Sequence, residues 1–529
     1  MTIATVDVVS SLIGKRVVAA ILISTVLVVG IAIALGVLQN NLTILNRGTL
    51  ATPPDYSSEQ PTSYIISRNG TFFLAINSQS QVEFSGIDAT TVIQSAIDAL
   101  GNRGGGKILL KAGVYDLTTY LDFKTYDYIS FQGESWSTVL RTNNGPYNAL
   151  FFKGEVSNPC YGILVSDLRI EGGSDAHSDV YNEKNGVMAV NTRNSTFERL
   201  FITGMGRTGI YNTGGSHGNY IANNILWKNQ RYGLSYTSSS RGRVIGNYLY
   251  GNGYAGLNWD ATYGENYYTV IQGNIFENQT GSLDLYVIGD ESNRPMYGSI
   301  VGNQFFSSTG TQLKIEFGRN IVVSGNYFRR YGTVGSSRNI FVAEGGENIV
   351  IDSNVIQGVA YYAIEVSTGD SVQISNNIIT RDPGSAFCIR IAGADADKAI
   401  GNRILDNVMK GPANGIWFDL NQSNILNTHV EGNDFSGLTG SAKITNFGTN
   451  SIIKNNAGFV TENSGSVTLI NANSVTFNHG LAGTPTSVLA SFSAPGWGDW
   501  YWTATSTQIT IATSNPVTGT CFWSAEYKP

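Results

Sequence analysis

The chain of 529 residues predicts an all-β fold in which one coil of parallel strands is stacked many times. Three observations carry this reading. An Asn closes a short apolar run ten times, at Asn224, Asn247, Asn274, Asn303, Asn326, Asn354, Asn377, Asn407, Asn433 and Asn456, at intervals of 23, 27, 29, 23, 28, 23, 30, 26 and 23 residues. A floor of 23 with small additions is what a solenoid gives when loops are inserted into a fixed coil. A second text, mostly 9 to 14 residues later, opens on Ile210, Leu234, Leu257, Leu283, Leu313, Ile340, Ile364, Ile389 and Ile416. All nine are Leu or Ile, as an inward column of period 2 requires. Finally, an amphipathic helix stands ahead of the repeats, where the open end of a coil needs a lid.

In chain order, Val17 to Leu38 is 22 residues without a charge, long enough to span a bilayer as a helix. Lys15 and Arg16 precede it and the next charge is Arg47, so the positive-inside rule puts residues 1–16 in the cytoplasm and the bulk of the chain outside. Ala32-Ile33-Ala34 also has the form of a signal-peptide cleavage site, which would export the chain equally. Residues 39–62, with Pro53-Pro54 and Pro61, read as a stalk. Asp88 is the expected N-cap of a helix whose stripe is Val92, Ile93, Ala96, Ile97 and Leu100, and Gly101 ends it. Residues 63–463 are assigned to the coil, about thirteen rungs.

The Asn column has a structural explanation. A corner residue must often take positive φ, which Asn tolerates, and stacked amides can bond up the column. After about residue 464 the period stops, and SVTLI, SVTFNHG, TSVLASF, DWYWTAT, QITIAT and CFWSAEY predict a compact all-β module over 464–529. Trp497, Trp500, Trp502 and Trp523 lie in it, and about half of this aromatic cluster is expected in its core.

Composition excludes several function classes. Charged residues are 14%, the net charge is -6 and no basic stripe occurs, so nucleic acid is not an expected partner. Three distant cysteines, Cys160, Cys388 and Cys521, form neither a metal knuckle nor a disulfide framework, and the four histidines are isolated, so no metal site is assigned. Gly101 to Lys107 has P-loop spacing, but Ile108 replaces the required Ser or Thr and a helix precedes it.

The stretch DATTVIQSAIDALGNRGGGKILLKAGVYDL at Asp88–Leu117 resembles the N-terminal cap of pectate-lyase-like right-handed parallel β-helix proteins, and ISFQGES at Ile129 and VSDLRIEGG at Val165 look like their first rungs. With the Asn repeats the resemblance covers roughly 370 residues. It implies a right-handed parallel β-helix, a polysaccharide or glycan partner, and, in catalytic members, lyase or hydrolase chemistry. The polygalacturonase-type members carry an Asp-Asp pair and a Gly-His-Gly, whereas this chain has Ser216-His217-Gly218 and no Asp-Asp pair. Asp175, His177 and Asp179 are similar in type to the cluster of uronan epimerases. The FNHGLAGTPTSVL text resembles a small β-sandwich at the ends of surface and tail-fibre-like proteins.

Sugar polymers would lie along the outer face of one sheet. Residues alternating with the inward column give an outward column of Tyr211, Ser235, Asn258, Asp284, Lys314, Phe341, Glu365, Arg390 and Trp417, and a second that includes Asp260, Tyr286, Glu316 and Asp419. Asp260 and Asp284 would then lie on a diagonal of roughly 8 Å, inside the carboxylate spacing of inverting glycosidases, about 6.5–9.5 Å. Asp260, Asp284, Glu316 and Lys314 are therefore the candidate catalytic residues, and Tyr286, Glu365, Arg390, Trp417 and Asp419 the candidate substrate-binding ones. No cofactor is expected for hydrolysis; β-elimination would add Ca2+ held by carboxylates. The competing reading is a solvated face whose charges pair across rungs, Asp284 with Lys314 and Glu365 with Arg390. It belongs to a non-catalytic adhesive rod with a recognition module at its tip.

Overall fold

The computed structural model describes residues 62–173 and 183–528, apart from residues 265, 308–309, 332–336, 359, 395–396, 420–421 and 494. The expected membrane span at 17–38 and nearly all of the stalk lie outside them. Among the described residues, no helix is long and apolar enough to cross a membrane.

Each coil contributes one strand to each of three parallel sheets. In one rung these are Tyr220–Ala222 in the first sheet, Ile225–Trp227 in the second and Tyr232–Thr237 in the third. The second and third sheets each hold 13 strands, all paired in parallel with the preceding and following coil. Thirteen strands match the count expected from the Asn period.

The helix runs Ala89–Gly101, and the Asp88 carboxylate accepts from the backbone N–H groups of Thr90 and Thr91. Val92, Ile93, Ala96, Ile97 and Leu100 are buried and close the top of the apolar core. Ahead of it lies an element the period did not announce. Thr62–Asn69, Phe72–Asn77 and Val82–Gly86 form an antiparallel meander, whose first strand pairs in parallel with Gly106–Leu110. It covers the first rung from the side the helix leaves open.

The Asn column is a continuous buried ladder. Each amide Nδ2 donates to the Oδ1 of the next Asn at 2.9–3.0 Å, from Asn224 through to Asn456. Most of the same Nδ2 groups also donate to a backbone carbonyl of the preceding coil, as Asn274 does to Val244. The positive φ lies one residue earlier than expected, at Asn223, Gly246, Gly273, Gly302, Gly325, Ser353, Asn376, Asp406, Gly432 and Asn455. The reason is division of labour. One residue turns the corner and the next, freed from that conformation, aims its amide inward; this produces the Gly-Asn text.

The C-terminal module is a single four-stranded antiparallel sheet and not two stacked sheets. Glu462–Asn478 pairs along its length with Gln508–Glu526; Ser487–Phe492 and Trp500–Ala504 pair with opposite ends of the latter strand. The texts SVTLI and SVTFN are one strand, because register shifts near Ala472 absorb the apparent break. Its core holds Leu469, Trp497, Ile509, Ile511, Cys521 and Trp523, while Tyr501 is exposed. His479 is a buried turn residue: its Nδ1 accepts from Leu481 N at 3.0 Å and its Nε2 faces Thr505 O at 3.2 Å.

Candidate functional site

The third sheet places the predicted site residues, and its register corrects two of them. Leu257 pairs with Leu285, and Leu285 with Leu313, so the inward spine runs through Leu285 where the sequence pointed to Leu283. Leu283 lies beside Ala255 and belongs to an outer cluster with Tyr232 and Tyr286. Asp284 consequently does not face solvent. It is 2% exposed in the corner between the second and third sheets, where two consecutive residues, Asp284 and Leu285, are both buried. Leu283 and Leu285 share the parity of a strand yet face opposite ways here, because alternation breaks at the corner, and a reading by alternation cannot see the break.

Asp284 is therefore removed from the outward column, and it does not pair with Lys314. It faces Ser307 and the Arg330 guanidinium, and burial pushes its carboxyl up to about 7. Gln312 and Asn339 extend this buried polar corner. Asn339 Nδ2 donates to Gln312 Oε1 at 2.7 Å, and Arg381 Nη1 donates to Asn339 Oδ1 at 3.3 Å. The corner is a column of buried polar side chains that partner one another in part; Asp284 Oδ2 and Ser307 Oγ make no hydrogen bond within the described residues.

With the register corrected, Tyr286 moves into the column of Asn258 and Lys314, and Ile288 stands beside Asp260. Asp260 and Tyr286 line a cleft of about 410 Å³. Its walls also carry Arg207, Arg231, Tyr211, Tyr232, Tyr254 and Tyr263. Asp260 Oδ1 accepts from Thr262 N at 2.9 Å and Thr262 Oγ1 at 2.6 Å, and its Oδ2 from Asn258 at 3.3 Å. Tyr232 and Tyr254 meet edge to face at 5.5 Å, and the Arg231 guanidinium lies 5.1 Å from the Tyr232 ring. Burial raises the pKa of Tyr211, Tyr232 and Tyr286, and for Tyr286 Glu316 adds to it. These phenols remain hydrogen-bond donors through the physiological range.

Tyr286 donates to Glu316, which is also paired with Lys314, so three of the predicted residues come together, of which Tyr286 lines the cleft. The other predicted residues lie farther along the sheet in a separate ionic ladder. Glu365, 1% exposed at its side chain, is held between Arg338 and Arg390, and Arg390 reaches on to Asp419. The Arg390 guanidinium lies 5.0 Å from the Trp417 ring, which stacks on Phe387 at 5.3 Å. The expected pairing of Glu365 with Arg390 is present. Asp175, His177 and Asp179 fall outside the described residues.

Arg207, Arg231, Tyr254 and Tyr263 were not in the outward columns, because they stand in the turns on either side of the strand. A signal was available. Gly209-Ile210, Gly233-Leu234 and Gly256-Leu257 align three rungs, and Arg207, Arg231 and Tyr254 each stand two residues before that Gly.

The family model described as "Right handed beta helix region" matches residues 333–478. The chain folds as a right-handed parallel β-helix. A second model, "Periplasmic copper-binding protein (NosD)", matches residues 127–332. No curated protein matches the chain in sequence. Among solved structures, the tailspike protein of E. coli bacteriophage HK620 in complex with a pentasaccharide is similar at TM-score 0.53 and 12% identity, covering 84% of this chain and 90% of that one. A mannuronan C-5 epimerase A-module from Azotobacter vinelandii is similar at TM-score 0.44 and 15% identity, covering 70% and 95%. An exopolygalacturonase from Thermotoga maritima matches at 0.44 and 14%, covering 64% and 88%. At such identities the likeness concerns the fold.

The donor set of the described residues does not suit copper. Among the described residues no group of three or more His, Cys, Asp or Glu is placed to hold a metal ion. The three cysteines are free and buried, and burial pushes the thiols of Cys160 and Cys388 up to about 12, far from the thiolate that copper needs.

Proposed function

We propose that this chain is an extracellular glycan-binding β-helix protein, held to a membrane by residues 17–38, with its glycan seated in the cleft around Asp260. The observation that carries this is the concentration of Tyr211, Tyr232, Tyr254, Tyr263 and Tyr286 with Arg207, Arg231 and Asp260 in one open groove. Phenol faces pack against the C–H faces of pyranose rings, and a few fixed polar groups read hydroxyls. The pentasaccharide held by the similar tailspike supports the ligand class.

The reading is of binding without cleavage. Inverting hydrolysis needs one carboxyl to deliver a proton while another activates water. Here Asp260 and Glu316 stand in one column two rungs apart, roughly 10 Å of axial rise. Both already act as acceptors, from Thr262 and Asn258 and from Lys314 and Tyr286. Among the described residues Asp260 is the one carboxylate that lines the cleft, with no second one beside it to divide the roles of acid and base. The ionic ladder from Arg338 to Asp419 adds to this reading, since its charges are spent on one another.

The test is a panel of uronic-acid and neutral polysaccharides, with and without calcium, read for binding, for reducing ends and for unsaturated products. Binding that Tyr286→Ala weakens tenfold or more, with neither product signal, is the expected result. Product release that Asp260→Asn abolishes would replace it with an enzymatic reading. No binding to any member would remove the reading altogether.

A further inference from the structure

The corner between the third and first sheets is a second column of positive φ, one residue per coil. Its members follow one another through backbone bonds such as Arg241 N to Tyr267 O, Tyr268 N to Met296 O and Tyr297 N to Arg319 O. Gly or Asn fills most positions, as at Asn194, Gly218, Asn320, Asn348 and Asn427, for the expected reason that a Cβ is disfavoured there. Tyr128, Ser371 and three successive rungs between them depart from this. Arg241, Tyr268 and Tyr297 hold φ of 57°, 56° and 54°. Bulky side chains at such φ are outliers that local physics does not select.

What these side chains make is an open aromatic ladder. Tyr268 and Tyr297 are 51% and 50% exposed, and their rings stack at 5.4 Å with 19° between planes. The Arg241 guanidinium lies 5.8 Å from the Tyr268 ring, which leaves the far face of Tyr297 toward the Asn320 rung. Arg241 is exposed, and among the described residues it has no carboxylate within ion-pair distance. The three follow the successive third-sheet strands Tyr232–Thr237, Ala255–Asp260 and Leu283–Ile288, and none of them lines the groove.

We propose that Arg241, Tyr268 and Tyr297 form a second glycan site, taking a pyranose ring against Tyr297 with the guanidinium and the Asn320 amide available to its polar substituents. Backbone strain kept in three adjacent rungs, for side chains that stay exposed, is the pattern of residues retained for a ligand. The proposal shares its ligand class with the groove reading but not its residues.

Full-length wild-type protein, Y268N/Y297N and the groove variant Y286A are titrated with galacturonan and glucan hexasaccharides by NMR, and their melting temperatures are recorded. The expected result is a site that survives in Y286A and weakens tenfold or more in Y268N/Y297N, with the melting temperature of the latter unchanged or raised, because Asn suits positive φ. Wild-type affinity in Y268N/Y297N overturns the platform and leaves the groove standing. A melting temperature lowered by several degrees overturns it too, since the stack is then structural. Loss in Y268N/Y297N alone, with Y286A binding as wild type, supports the platform and removes the groove. No binding of either probe to the wild type overturns both.

Discussion

At the scale of single residues, the interior of this coil is unusually polar, and each polar group depends on its neighbours one coil away. Asn303 accepts from both the backbone N–H and the Nδ2 of Asn274 at 2.9 Å, and donates to Ile271 O and Asn326 Oδ1. Asn303→Ala removes the acceptor of Asn274 N and Nδ2 and the donor to Ile271 O and Asn326 Oδ1, which costs roughly 2–4 kcal/mol; the denaturant midpoint should fall accordingly. Asp284 behaves differently because it is ionisable. Its folded pKa of about 7 lies above the ordinary 3.8, so the protonated form is the one the fold favours. The corresponding stability is fully present below about pH 4 and is lost as pH rises through 7. Asp284→Asn, which cannot ionise, should therefore gain thermal stability relative to wild type across pH 4 to 7 and hold a constant difference above that. A difference independent of pH would show that Asp284 is charged in the folded state.

At the scale of elements, the outer face of the third sheet divides in two. Around Asp260 it is a groove; from Arg338 to Asp419 it is a ladder of mutually paired charges. Glu365 is buried between two guanidinium groups, and removing its charge takes this carboxylate from both, leaving Arg390 with Asp419. Glu365→Gln should destabilise by roughly 3–5 kcal/mol, the usual consequence of breaking a buried ion pair, while Asp260→Asn should leave the melting temperature within a degree or two. Equal effects of the two on stability would place both in the scaffold. The capping helix offers a smaller, independent test. Asp88→Ala removes the acceptor for Thr90 N and Thr91 N, a loss of about 1 kcal/mol, read as an earlier onset of hydrogen exchange in the helix and the first rungs.

At the scale of the whole molecule, the repeated coil decided where function could be placed. A solenoid buries one face of every strand against its own turns and leaves the other facing out, so ligands are met by columns of side chains one rung apart. Much of this was legible beforehand: the Asn period, the Leu and Ile spine at eight of nine rungs, the Asp88 cap and the unpaired cysteines. The site was only partly legible. Asp260 and Tyr286 line one groove, with Glu316 and Lys314 joined to Tyr286 beside it, whereas Asp284 was assigned to solvent and is interior. Arg207, Arg231, Tyr254 and Tyr263 were overlooked, because variable turns carry no period from which to read a direction.

The sequence by itself determined the coil, since burial of alternate apolar residues and of one amide per turn is a local requirement repeated until it cannot be mistaken. Only the tertiary structure decided the register at Leu283–Leu285. Either leucine satisfies alternation, and what distinguishes them is the space at the corner beside Ser307 and Arg330, which belongs to neighbouring coils. The composition of the groove was decided in the same way, by turns of unequal length brought side by side.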